Sequence, residues 1–258
     1  MENVNKTLYI PLYGKSFVSK KGIILSDSKA EEIWEAEGFP LKGKSKSKWL
    51  AYYMGMRSAV FDRWLEGKME ENPEAVVLHI GCGMDSRIER VGDRGHRWFD
   101  VDFPEVMEQR RRYFPETANY KMICGDLREK DWLQEIPTGR AIVLLEGISM
   151  YLRPEELKAA FENLNSRFET VHILVDCYTE FAAKVSKYKN PINDVGVTEV
   201  YGMDDPNYLP GFVKIHEITP QNLIDQLQGM EKTIFRKLYA GKVADKMYRL
   251  YEYEGGRP

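Results

Sequence analysis

Cysteine is scarce in this chain: three in 258 residues, Cys82, Cys124 and Cys177, with no Cys-x-x-Cys pair. An odd, scattered set argues against a disulfide framework and leaves reduced thiols, buried or half-buried, in or beside apolar runs. Histidine is almost as rare. His79, His96, His172 and His216 have no ligand-like spacing, so no metal is expected. Neither sign of charge dominates: 37 basic and 40 acidic residues give a net charge of −3, which argues against nucleic acid as the main partner. No apolar run approaches membrane-spanning length, and residues 1–6 lack the charged-then-apolar pattern of a signal peptide. These absences lead us to expect a cytoplasmic protein with no membrane partner.

An apolar share of 43% against 30% charged residues is that of a globular protein, and 258 residues suffice for one large α/β domain or a domain with an appended cap. The most informative stretch is an apolar run, residues 75–80, that ends in Gly81-Cys82-Gly83. A second β-like run ends at Asp102, 21 residues beyond Gly81. Strand, glycine turn, helix, strand and acid at this spacing form the half-site that holds an adenosine. Glycine lets the backbone approach a ligand and adopt positive φ. A carboxylate accepts hydrogen bonds from both ribose hydroxyls. A dinucleotide site wants a third glycine near position 86, where this chain has Ser86. Asp85, just before it, is expected to repel a pyrophosphate seeking bare N–H donors. S-adenosylmethionine, which has an adenosine and a sulfonium but no phosphate, suits the turn better than NAD. An NAD-dependent oxidoreductase is the alternative, and a non-catalytic cofactor-binding module a third reading.

Residues 1–70 read as helices and loops, an N-terminal helical cap. Asp27 is the expected N-cap of one helix, and residues 49–65 carry helical apolar spacing with Arg57 beside the buried stripe, either snorkelling or turned inward as an anion clamp. Lys42, Lys44, Lys46 and Lys48 read as a solvated loop. Residues 71–258 form the core. Short apolar strands at 75–80, 96–101, 119–124, 140–146 and 171–177 alternate with helical stretches at 86–91, 104–113, 129–135 and 154–168. Such alternation implies a doubly wound, mostly parallel sheet. Arg110, Arg111 and Arg112 read as a solvated helix end. From 178 to 218 the pattern dissolves into a lid-like segment with Tyr178, Tyr188, Tyr201 and Tyr208 interleaved. Thr219 is the expected cap of a further helix, and residues 231–239 and 247–253 read as two last strands.

Several segments together carry a resemblance. They are residues 7–15, Arg57 and Asp62, Gly81-Cys82-Gly83-Met84-Asp85-Ser86-Arg87, residues 98–104, Gly125-Asp126-Leu127, and Glu146-Gly147-Ile148-Ser149-Met150-Tyr151-Leu152. The chain resembles the leucine carboxyl methyltransferase family, and within it the bacterial branch similar to the tetracenomycin polyketide O-methyltransferase. The likeness covers roughly residues 7–177. It implies a seven-stranded S-adenosylmethionine-dependent methyltransferase fold with an N-terminal helical cap. It also implies cofactor contacts from Lys15, Arg57, Gly81, Cys82, Gly83, Asp102, Asp126, Leu127 and Glu146, with Arg57 on the methionine carboxylate, Asp102 on the ribose, Asp126 and Leu127 by the adenine and Glu146 under the methionine portion. Gly81, Asp102, Asp126 and Glu146 each follow or end an expected strand, so all four converge on one crevice.

The expected reaction is O-methylation of a small-molecule, polyketide-like acceptor, a carboxylate by preference. A carboxylate with a pKa of about 4 is already ionised at neutral pH, whereas a phenol, at about 10, would benefit from a base. The sequence offers no Ser-His or His-Asp pair for that task. Asp100 and His216 are the remaining candidates, and no catalytic residue is assigned. Tyr151, Tyr178, Tyr201 and Tyr208 are the candidate lining residues of the acceptor site, beneath a lid that excludes water. A protein tail stays open as an acceptor.

Overall fold

Five short apolar strands, β1 (Val76–Ile80), β2 (Trp98–Asp102), β3 (Tyr120–Cys124), β4 (Arg140–Leu145) and β5 (Thr170–Tyr178), pair in parallel in a computed structural model of the chain. Two more, β6 (Phe212–His216) and β7 (Tyr248–Gly255), complete a seven-stranded sheet in the order β3-β2-β1-β4-β5-β7-β6, with β7 antiparallel to both neighbours. The structure describes residues 6–189, 192–193, 196–197 and 199–257. Five positions of the expected lid, 190–191, 194–195 and 198, lie outside the described residues, as do residues 1–5 and the Tyr188 side chain. Strand order reverses at β1, which lies between β2 and β4. In open α/β sheets that reversal opens a crevice beyond the carboxyl ends of the strands.

Helices α1 (Tyr9–Lys20), α2 (Ser28–Glu37) and α3 (Lys48–Glu71) precede the sheet. Asp27 caps α2 by accepting from the Ala30 N–H at 2.8 Å, and Gly38 ends it in the left-handed conformation. The buried stripe of α3, including Phe61, Trp64 and Leu65, belongs to one apolar cluster with Val77, Ile142 and Leu174 of the strands. The opposite sheet face carries Val76, Leu78, Val143 and Val175, covered by Leu157, Phe161 and Leu164 of α6 (Pro154–Arg167). Shorter crossovers are α4 (Arg87–Val91) and α5 (Pro104–Arg110). Both sheet faces are thus buried, which is why the parallel strands are apolar at nearly every position.

The C-terminal third departs from the sequence reading. Residues 231–239 are not a strand but most of helix α9 (Gly229–Tyr239), which follows α7 (Glu180–Lys189) and the one-turn α8 (Gln221–Ile224). Glu231, Phe235 and Tyr239, four apart, all point back to the N-terminal helices, where Glu231 bonds Tyr52, Phe235 meets the Tyr52 ring edge-on and Tyr239 stacks on Trp49. That period of four overrides the β-branched content of the run. The edge strand β6 instead lies within the expected lid, of which α7 is also part. Thr219 is not a cap, because α8 starts after Pro220. A last turn, α10 (Lys242–Asp245), leads into β7.

Arg110 is a second correction. It is fully buried rather than solvated, paired with Asp100, donating to the Gly83 carbonyl at 3.0 Å and resting on the Phe114 ring. It braces the glycine turn from behind. Cys124 is exposed, whereas Cys82 and Cys177 are buried.

Candidate active site

Beyond the carboxyl ends of β1, β2, β3 and β4 lies a cavity of about 820 Å³. Gly81 turns at its floor with φ +65°, and a Cβ there would come within 2.3 Å of Ile148 Cγ2. Glycine is therefore required twice over, for the dihedral and for the contact. Asp102 ends β2. Its two oxygens accept from the N–H groups of Gly83 and Phe103, each at 2.7 Å, and each keeps a second lone pair. Burial outweighs those bonds and pushes its carboxyl up to about 6. Because the Gly83 N–H is given to Asp102, the turn offers no open N–H there for a pyrophosphate.

Glu146, just after β4, accepts from Arg57 Nε at 3.0 Å and is also bonded to Arg87 Nη2. Burial opposes its charge, but Arg87 and Arg57 prevail and hold it at about 2. Arg57 reaches the site from α3 and is turned fully inward. Its Nη1 lies 2.9 Å from Asp176 and donates to the Tyr248 hydroxyl at 3.0 Å. Its Nη2 makes no hydrogen bond among the described residues and lies beside Gly147, where a Cβ would sit 3.3 Å from it. A pair of N–H donors is thereby left for a ligand carboxylate. Lys15, on α1, is buried against Asp85 at 3.1 Å.

The structure brings Lys15, Arg57, Gly81, Cys82, Gly83, Asp102, Asp126, Leu127 and Glu146 to one cavity wall. Asp126 is half-buried and bonded to Arg128 Nε at 2.9 Å. Tyr151 and Tyr178 line the same cavity; Tyr201 and Tyr208 do not. Tyr201 is held by its N–H on the Met150 carbonyl, and Lys158 of α6 lies over the Tyr208 ring. Neither candidate base is at the cavity. Asp100 is sealed among Trp98 Nε1 (2.8 Å), the Tyr120 hydroxyl (2.6 Å) and Arg110. His216 is paired with Glu252 on β7. Burial raises the Cys82 thiol well above its ordinary value, so it stays protonated.

Sequence reasoning missed the charged layer behind the wall. Arg87 is bonded to Asp62 at 2.6 Å and lies 3.3 Å from Asp85; Arg90 bonds Asp62 (2.7 Å), Asp27 (2.6 Å) and Asp85 (2.8 Å). Asp85, expected to repel a phosphate, is thus neutralised by Arg87, Arg90 and Lys15, which hold its carboxyl well below the usual range despite burial. His79 lies 3.1 Å from Arg87 Nη1, and burial lowers its pKa, so it is neutral at pH 7. The available signal was complementary spacing: Ser58 and Asp62 four apart on α3, Arg87 and Arg90 three apart on α4.

Another part of the cavity lining is of different composition. Leu50, Met54, Met150, Met247, Tyr53 and Tyr248 line it, with Tyr151 and Tyr178. The Tyr53 hydroxyl is buried and has no hydrogen-bond partner among the described residues. Burial raises Tyr53, Tyr151 and Tyr248 far above the ordinary tyrosine value, so all three are donors and none is a base at neutral pH.

Residues 3–165 match the sequence pattern of the leucine carboxyl methyltransferase family. The chain is 28% identical over 212 residues to the tetracenomycin polyketide synthesis O-methyltransferase TcmP of Streptomyces glaucescens, covering 81% of this chain and 78% of that one. It is 28% identical over 182 residues to the S-adenosyl-L-methionine-dependent methyltransferase dpfgK of Gibberella zeae, covering 64% and 61% of the two chains. Among solved structures, a methyltransferase-like protein from Thermobifida fusca superimposes with a TM-score of 0.59 at 11% identity, over 94% of each chain. The magnesium protoporphyrin IX methyltransferase of Synechocystis, solved with bound S-adenosylhomocysteine, gives 0.50 at 12% identity over 89% of this chain and 95% of that one.

Proposed function

This chain belongs to the leucine carboxyl methyltransferase family, and from that premise we propose that it methylates a carboxylate oxygen of a small-molecule acceptor. Its cofactor is S-adenosylmethionine, which supplies an electrophilic methyl group on a sulfonium. The residues fit that group. Asp102 presents two lone pairs where a ribose is expected, Arg57 Nη2 is open to a carboxylate, and Glu146 lies in the wall between them. Asp126 and Leu127 complete the wall on the adenine side.

A single observation carries the choice of oxygen. The acceptor half holds no side chain, among the described residues, that is free to take a proton at neutral pH. An acceptor already ionised needs none. The Tyr53 hydroxyl then donates to one carboxylate oxygen while the other faces the reaction, and the apolar walls strip water from both. Holding the reactants aligned supplies on the order of 7–11 kcal/mol of the barrier. The polyketide-like character of the acceptor is supported by the likeness to TcmP.

The ester linkage gives the test. The protein is incubated with methyl-labelled S-adenosylmethionine and the low-molecular-weight fraction of a cell extract, and the labelled product is treated with mild alkali. A methyl ester releases its label as methanol. Label that survives alkali, as in an aryl ether or a methylamine, refutes the carboxylate reading while leaving methyl transfer in place.

A further inference from the structure

Large apolar side chains on the surface are not scattered here; most gather on α7, α9 and the stretch leading into β7. Phe181, Val185, Met230, Leu238, Val243 and Met247 are all exposed, Met230 to 81% and Phe181 to 58%. Four of these, Val185, Leu238, Val243 and Met247, also line the mouth of the cavity. On α9 the exposed residues Met230, Ile234 and Leu238 are four apart and form a stripe beside the inward stripe of Glu231, Phe235 and Tyr239. A helix that is apolar toward solvent as well as toward its own core has a face to cover.

The charge of this face indicates what covers it. In a chain of net charge −3, residues 180–186 and 229–247 together hold six cations against three acids. Lys232 and Arg236 are engaged by Asp225, and Glu231 by Lys48 and Tyr52. Lys184, Lys237, Lys242 and Lys246 stand exposed between the apolar tips, with Glu180 and Asp245 as the nearby carboxylates. A second copy of the chain would set this positive face against its own like. The apolar tips stand on separate short elements around an opening, so what they meet must yield to their shape.

We propose that the cavity mouth docks on an anionic lipid surface, with the apolar tips of α7, α9 and α10 at the acyl boundary and the lysines among the headgroups. Amphipathic helices bind in this way, by apolar burial plus attraction to anionic lipid, and lysine stems reach outward as they do so. The expectation of no membrane partner rested on the lack of a spanning segment, and no helix here is long and apolar enough to cross; an interfacial contact needs none. Docked in this pose, the cavity opens onto lipid rather than water. The inference stands apart from the methyl-transfer reading.

Co-sedimentation of the whole chain with vesicles tests it. The protein is expected to pellet with phosphatidylcholine–phosphatidylglycerol vesicles and several-fold less with phosphatidylcholine alone or in high salt. Met230→Asp, at a site too exposed to affect folding, should reduce pelleting several-fold, and the triple variant Lys237→Glu/Lys242→Glu/Lys246→Glu should remove the preference for anionic lipid. Wild type that stays in the supernatant overturns the proposal, as does pelleting indifferent to both variants. A dimer in solution that Met230→Asp dissociates also overturns it, assigning the face to a second copy.

Discussion

In the cofactor half of the cavity, Arg57, Arg87, Arg90, Asp85 and Glu146 are almost wholly out of water, and each has at least two partners of opposite charge. In the acceptor half the walls are leucine, methionine and tyrosine, and the buried Tyr53 hydroxyl has no hydrogen-bond partner among the described residues. The first half is over-determined, so its geometry is set before any ligand arrives. The second is shaped mainly by packing and keeps an unmet hydrogen bond for its occupant. Such a division permits one cofactor to serve different acceptors: rigid where the ligand never changes, adaptable where it does.

The contrast breaks most severely at Arg87. Arg87→Met leaves Asp62, Asp85 and Glu146 facing one another without their shared counter-ion. Urea unfolding should show a loss of about 3–5 kcal/mol, together with loss of S-adenosylhomocysteine binding. A loss below about 1 kcal/mol would mean that the network is slack.

These two halves were also unequally legible in the sequence. Gly81, Asp102, Asp126 and Glu146 could be placed because each follows a parallel strand, and parallel strands must end on the same side of a sheet. Lys15 and Arg57 came only from the resemblance, since periodicity leaves an arginine beside a buried stripe free to point either way. Tyr53 and Tyr248 were missed because no spacing joins α3 to β7; they meet only when β7 enters the sheet beside β5. Tyr201 and Tyr208 were misplaced for the converse reason: a tyrosine in irregular chain has no period to show which way it points. Residues 231–239 form a helix rather than the expected strand because Glu231, Phe235 and Tyr239 repeat every four residues and all face the N-terminal helices.

Asp102 sharpens the comparison at intermediate scale. Asp102→Asn should weaken S-adenosylmethionine binding by about 1–3 kcal/mol in calorimetry, since the amide keeps a single accepting oxygen in place of two. Since burial raises its folded pKa to about 6, above the unfolded value, Asp102 favours folding at low pH and that contribution is lost as pH rises through about 6. Cofactor binding runs the other way, because the ionised carboxylate is the better acceptor. Affinity should therefore fall as pH drops below about 6, approaching tenfold per unit, and Asp102→Asn should flatten the profile.

The smallest effect belongs to the acceptor half. Tyr53→Phe keeps the ring and removes the unsatisfied hydroxyl. Cofactor affinity should stay unchanged and the melting temperature should hold or rise. Methyl transfer to the alkali-labile product should slow by about 0.5–1.5 kcal/mol, a few-fold to about tenfold in kcat/KM. Unchanged turnover would return Tyr53 to ordinary packing.

The bond between Arg57 and the Tyr248 hydroxyl joins residues 191 positions apart. On the ribosome, a nascent chain has made Lys15, Arg57, Gly81, Asp102 and Glu146 long before it makes the strand that anchors Arg57 from behind. The early α/β units have local partners and can assemble as they emerge. Ligand-ready geometry is therefore acquired only after all five parallel strands have been made, when β7 slots between β5 and β6 and Tyr248 links Arg57 to Asp176.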